Sequence, residues 1–178
     1  MSIKEFATYR AKETTAQASL LALGVAFELG TRFSAALRNE IADIPEGRTF
    51  AIGILPDGPA ISLRKQGTGM RYLGWGMNQP DVAVLYKNID AALMNFLGQI
   101  GTHHAGAQRR FIVRGNLGDT MVLARALNIV QTFLFPAMYL DLTAKRPVQL
   151  SGAELLAKAR VMSLLGPALA LNATKKVR

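Results

Sequence analysis

The segment PDVAVLYKNIDAALMNFLGQIGTHHAGAQRRFIVRGNLGDTMVLARALNIVQTFLFP, Pro80 to Pro136, carries the pattern that decides the fold. Its order is strand, helix, strand, helix. From Asp81 to Lys87, Val82, Val84 and Tyr86 alternate with Ala83, Leu85 and Lys87, the period of two of a half-buried strand. Asn88 supplies a helix cap. Ile89, Ala92, Leu93, Phe96, Leu97 and Ile100 then fall on one apolar helical face, with Gly101 as the stop. From Arg110 to Gly115, Phe111 and Val113 oppose Arg110, Ile112 and Arg114, a strand with a cationic outer face. Asn116 and Asp119 form a capping pair for a helix that Pro136 ends after about five turns. Leu123, Leu127, Val130 and Leu134 make one row of it, and Val122, Ala126, Ile129 and Phe133 a second. A helix apolar over most of its circumference must be wrapped by several elements.

Outward from this segment, residues Thr14 to Ile41 read as a helix with Leu20, Leu23, Phe27, Leu37 and Ile41 on one row, weakened near Gly24 and Gly30. That row packs inside the domain, pairs with another subunit or lies on a membrane; periodicity leaves the three open. Pro45-Glu46-Gly47 closes the helical region. Three short strands follow, Thr49–Leu55, Ala60–Lys65 and Met70–Met77, joined by Pro56-Asp57-Gly58-Pro59 and Gln66-Gly67-Thr68-Gly69, both tight-turn chemistry. Phe50, Ile52, Ile54, Ile61, Leu63, Leu73, Trp75 and Met77 join Val82, Val84, Phe111 and Val113 as the apolar face of the sheet. Ser62, Arg64, Tyr72 and Arg114 lie opposite, so helices cover one side. Beyond Pro136 come a connection from Ala137 to Leu150, a capping box of Ser151 and Glu154, a last helix from Leu155 to about Leu165, and a frayed tail from Asn172.

The strand ending in Lys87-Asn88, the Ile89-Asp90-Ala91-Ala92-Leu93 helix, the Gly115-Asn116 turn and the aliphatic helix to Phe135-Pro136 together resemble the sterol carrier protein type 2 domain over the central half of the chain. The resemblance implies an α+β fold: a five-stranded, mainly antiparallel sheet covered on one face by helices, with a lipid in an apolar tunnel between the layers. The whole chain is then one lipid-binding domain with an N-terminal helical extension over about residues 13–42.

The composition is compatible with that fold. A chain of 178 residues buries about 70% of its unfolded surface as one domain. It has no cysteine, which excludes thiol catalysis, disulfides and thiolate metal sites and fits a cytoplasmic protein, peripheral to a membrane at most. Its 21 Lys and Arg against 12 Asp and Glu give a net charge of +9. The cations are scattered, with small clusters at Arg109-Arg110, Lys145-Arg146 and Lys175-Lys176, and lack the interleaved aromatics that stack bases. A transient anionic membrane surface therefore suits them and nucleic acid does not.

No motif for catalysis, a metal or a cofactor emerges. His103 and His104 stand together without partners and read as a loop pair. The surplus of apolar side chains over what a two-layer core needs is the feature to explain. It assigns a lipid to Ile52, Leu63, Trp75, Leu93, Phe96, Leu97, Leu123, Leu127, Val130, Phe133, Leu134 and Met138. Arg125, Asn128 and Gln131, polar on an apolar helix, are candidates for its head group. The function read from sequence is non-enzymatic carriage of a fatty acid, phospholipid, sterol or isoprenoid quinone. The alternative is an accessory protein of a lipid- or quinone-modifying assembly, with the N-terminal helix as partner interface and a homo-oligomer left open.

Overall fold

The structure, a computed structural model, describes residues 3–135 and 151–177. Pro136, the connection 137–150 with Met138 and Lys145-Arg146, and Arg178 lie outside the described residues. The chain runs α1 (Ile3–Phe33), α2 (Ala35–Glu40), β1 (Thr49–Ile54), β2 (Ala60–Gln66), β3 (Gly69–Trp75), β4 (Val82–Tyr86), α3 (Ile89–Phe96), α4 (Thr102–Ala107), β5 (Phe111–Gly115), α5 (Leu117–Leu134) and α6 (Gly152–Asn172).

The five strands form one sheet in the order β3-β2-β1-β4-β5. The β1–β4 pairing is parallel and the other three are antiparallel, so the sheet is mixed but mainly antiparallel. Phe50, Ile52 and Ile54 of β1, Ile61 and Leu63 of β2 and Val82, Val84 and Tyr86 of β4 share one face in register. They join the helices in a single core. On the opposite face Ala51, Ala83 and Leu85 form a small cluster with Leu55, and Ile112 stays exposed.

α1 packs on β2, β3, α3, α5 and α6. Its Leu20 and Phe27 have no exposed surface, and Leu23, Val25 and Leu29 are buried with them. Of the three settings open to this helix, the fold gives the row from Leu20 to Leu29 the interior one, which removes those side chains from any partner interface. The helix breaks at Ser34 and not at Gly30. Ser34 is extended, and its hydroxyl accepts the Leu37 amide at 3.1 Å, capping α2. The other caps fall where the sequence puts them: Asn88 accepts from Ala91 N, Asn116 from Asp119 N and Ser151 from Glu154 N.

Several expectations need correction, the first being the start of the N-terminal helix, which begins at Ile3 and not near Thr14. Leu63 pairs with Tyr72 but Ser62 pairs with Gly74, so Leu73 is the extra residue of a β-bulge. The bulge reverses the alternation, and Tyr72, expected outside, has no exposed surface. Burial pushes its hydroxyl up to about 12, and that hydroxyl has no hydrogen-bond partner among the described residues. α3 ends one turn early, with Leu97 as its C-cap and Gly98 turning the chain at φ +70°. His103 and His104 lie in α4, not in a loop. The last helix continues through Gly166-Pro167 to Asn172; both residues are exposed, so water can reach the carbonyl that loses its donor to proline.

The tail is not frayed over its described part. Trp75 N donates to Lys175 O at 2.8 Å, Val177 N to Trp75 O at 2.9 Å and Trp75 Nε1 to Ala173 O at 2.7 Å. Residues 173–177 thus meet the end of β3 at Trp75, and farther along the same edge α1 supplies the acceptors, Glu28 Oε2 for Tyr72 N at 2.9 Å and Thr31 Oγ1 for Met70 N at 3.3 Å. A Cβ on Gly74 would sit 2.6 Å from Lys175 O, so a side chain there excludes the tail.

At the amino ends of β1 and β4, Thr49 N and Oγ1 donate to Asp81 Oδ2 at 2.8 and 2.7 Å. Arg48 Nη1 lies 3.5 Å from Asp81 Oδ1. Its Nε is 3.0 Å from Asp119 Oδ2 of α5, an ion pair without the alignment of a hydrogen bond. The Thr49 amide and hydroxyl, with the Arg48 guanidinium, hold the Asp81 carboxyl below its usual value. A depressed folded value means that stability is gained when the carboxylate is ionised. The contribution is complete above the unfolded aspartate value, about 3.9, and is lost as pH falls through the lower folded value. Urea unfolding across the acid range is therefore expected to show a shallower fall in stability for Asp81→Asn than for the wild type.

Candidate functional site

At the other end of the same strand pair lies an open groove. Because β1 and β4 run parallel, both carboxyl ends reach one edge, where open sheets leave a crevice. The first turns of α1, the turn after β1 and the β4–α3 junction enclose a groove of about 760 Å³ there. Its walls are Tyr9, Ile54, Leu55, Pro56 and Ile89, with Glu5, Thr8, Lys12, Gly58, Lys87, Asn88 and Asp90 around them. Ile54 and Ile89 also belong to the main core, so the groove floor is the flank of that core. Lys12 Nζ pairs with Asp90 Oδ1 at 2.7 Å and ties α1 to α3 beside the opening. This volume lies in the range of small-molecule sites, roughly 300–1,000 Å³, and its predominantly apolar wall suits a hydrocarbon chain.

Next to it is a second hollow of about 420 Å³ lined by Lys87, Asn88, Ala91, Gln108, Arg109 and Arg110. Lys87 and Asn88 belong to both. Three cations and no acid line the second hollow. Arg110 is held by donating from Nε to Gln108 Oε1 at 2.6 Å and from Nη1 to Met94 Sδ at 3.1 Å. Arg109 adopts φ +53° in the turn between α4 and β5 and is exposed. An apolar groove that adjoins a cationic hollow suits a molecule that is oily at one end and anionic at the other.

The residues assigned to a lipid from sequence lie elsewhere. Ile52, Leu63, Phe96, Leu123, Leu127, Val130 and Phe133 are buried in the main core; Trp75, Leu93 and Leu134 pack partly buried against it. Leu97 is half-buried at the end of α3. The three head-group candidates each meet a protein partner. Arg125 Nε pairs with Glu40 Oε1 of α2 at 2.6 Å, Asn128 Nδ2 lies 3.2 Å from His103 Nε2, and Gln131 Nε2 donates to Asn95 O at 3.2 Å. Gln131 is buried, so its amide ties α5 to the end of α3. Among the described residues no group of three His, Asp or Glu side chains is placed to hold a metal. No described helix is long and apolar enough to cross a membrane.

The sequence reading did not include Tyr9, Leu55 and Pro56 of the groove, or the placing of Lys87 and Arg109 around one hollow. Periodicity could not find them: the groove joins residues near 10, 55 and 89 only after α1 is laid across the sheet.

The fold and site define an α+β protein with helices on one sheet face and an amphipathic cleft at the carboxyl ends of its parallel strand pair. No protein-family model matches the chain, and no curated protein does. Among solved structures the chain is similar to one titled "UbiJ-SCP2 Ubiquinone synthesis protein". The identity is 13% over 66% of this chain and 96% of that chain, with a TM-score of 0.45.

Proposed function

We propose that this protein is a non-enzymatic binder and carrier of a hydrophobic lipid, and that the lipid has an anionic head. The observation that carries the reading is the apolar groove beside the cation-lined hollow, with Lys87 and Asn88 lining both. The tail would lie against Tyr9, Leu55 and Ile89, and the head would face Lys87, Arg109 and Arg110. Of the four ligand classes compatible with the sequence, this arrangement favours fatty acid and phospholipid over sterol and quinone, whose heads carry no charge. The residues expected from sequence to line a tunnel would then support the groove floor from behind.

Each methylene fully buried contributes about 0.8 kcal/mol, so affinity should rise about fourfold per carbon until the groove is filled. Uptake of a fluorescent fatty acid by the purified protein tests the reading, with native mass spectrometry for a lipid that copurifies. Lys87→Glu with Arg109→Glu changes two exposed side chains and is expected to weaken fatty-acid binding about tenfold while leaving an uncharged monoacylglycerol unaffected. A wild-type protein that takes up neither ligand sinks the carrier reading. Equal loss of both ligands in the double variant removes the head-group assignment.

A further inference from the structure

α6 leaves an unusually oily surface. Of its 21 residues only Ala157 and Val161 are buried. Leu155, Leu156, Met162 and Leu171 are exposed by 55%, 64%, 49% and 82%. At 1.5 Å per residue the helix is about 31 Å long. Its inner side is fastened to the domain: Glu154 accepts from Ser34 Oγ at 3.1 Å, Lys158 Nζ donates to Phe135 O, and the Arg160 guanidinium lies 5.9 Å from the Phe33 ring centre. The exposed leucines therefore project from a docked helix and not from a loose one.

At 100° per residue, the arc running through Met162, Leu155, Ala159, Ser163, Leu156 and Pro167 carries no charge. Lys158 borders it on one side and Arg160 on the other. From Leu155 to the last residue the chain has five cations, Lys158, Arg160, Lys175, Lys176 and Arg178, and no Asp or Glu. A second copy of α6 laid on this face would bring like charges together, and the one acid of each helix, Glu154, is engaged by Ser34 on the inner side. An anionic lipid headgroup layer complements the uncharged arc, the exposed Arg160 at its border and the net charge of +9, while Lys158 is engaged by Phe135 O.

We infer that the outward face of α6 is the surface by which this protein docks on an anionic bilayer, the helix lying flat in the headgroup region. The inference deepens the lipid-carrier reading by naming its membrane contact, but its evidence is separate from the groove. Vesicle binding and fatty-acid uptake are scored independently, so either can fail alone.

The full chain is sedimented with vesicles of phosphatidylcholine or of equal parts phosphatidylcholine and phosphatidylglycerol. It is expected to partition onto the mixed vesicles, less as salt rises. Leu156→Glu with Met162→Glu, both exposed positions, should lower partitioning about tenfold or more, with the thermal melt and fatty-acid uptake unchanged. The absence of native cysteine allows a polarity-sensitive dye at Leu156→Cys, whose emission should shift to the blue on the mixed vesicles. The same dye at Arg64→Cys, on the far face of the sheet, should not shift. Failure of the wild type to partition overturns the proposal, as does a shift at residue 64 without one at 156. A dimer in light scattering that the Glu variant converts to monomer, with no vesicle binding by either, assigns the face to a second copy and also overturns it.

Discussion

Phe133→Ala is expected to lower the free energy of unfolding by about 3–5 kcal/mol, read from the midpoint shift in urea at constant slope. The ring has no exposed surface. It lies so close to α1 that a Cβ on Gly30 would come within 2.9 Å of its Cε2. Removing the ring takes contacts from α5, α1 and the core together, and a well-packed site collapses only partly around the void. The variant also tests where a lipid goes. Fatty-acid uptake retained by the folded variant places the tail in the groove by Tyr9 and Ile89. A gain in affinity for longer chains would instead mean that a tail enters the space vacated between α5 and the sheet.

The second large effect is expected at Gly115, the last residue of β5. Its φ is +100°, and a Cβ there would lie 2.0 Å from the carbonyl oxygen of Asp81. Gly115 pairs with Val82, so the clash falls on the first rung of the β4–β5 ladder, beside the Arg48, Asp81 and Asp119 corner. Gly115→Ala should cost about 3 kcal/mol or more, from the strained conformation and the forced separation of the strands together. Gly67→Ala is the control. Gly67 also has positive φ, +56°, but a Cβ there meets nothing within 4 Å. Its cost should stay near the conformational part alone, about 1–2 kcal/mol. The difference between the two, measured in the same denaturant series, isolates the contact.

Both positions sit in the Pro80–Pro136 segment, and the reasons they matter were legible to different degrees. That Phe133 faces a core follows from the double apolar row of its helix. The severity at Gly115 does not, because it depends on which carbonyl the neighbouring strand presents. The same division runs through the candidate site. The caps at Asn88, Asn116 and Ser151 could be read from sequence because a side chain and an amide three residues away satisfy each other locally. The polar residues of α5 could be identified as unusual, but their partners could not. Glu40, His103 and Asn95 lie far along the chain from Arg125, Asn128 and Gln131, and a folded arrangement is needed to bring them together.

The sequence by itself determined the order of the five strands and the longer helices, though not α2 or α4, and the one-sided helical cover of a mainly antiparallel sheet. These are properties of residue spacing within single elements, where periods of 2 and 3.6 act over a few turns. The tertiary structure alone decided that Tyr72 turns inward, because one bulged residue in β3 reverses the pleat. It also decided that the C-terminal tail meets the sheet edge at Trp75, and that apolar side chains are shared among the main core, the groove and the outward face of α6. The bulge is a feature of the β2–β3 hairpin; the others depend on contacts between segments tens of residues apart, and spacing along the chain carries no information about which distant backbone will be there to meet them.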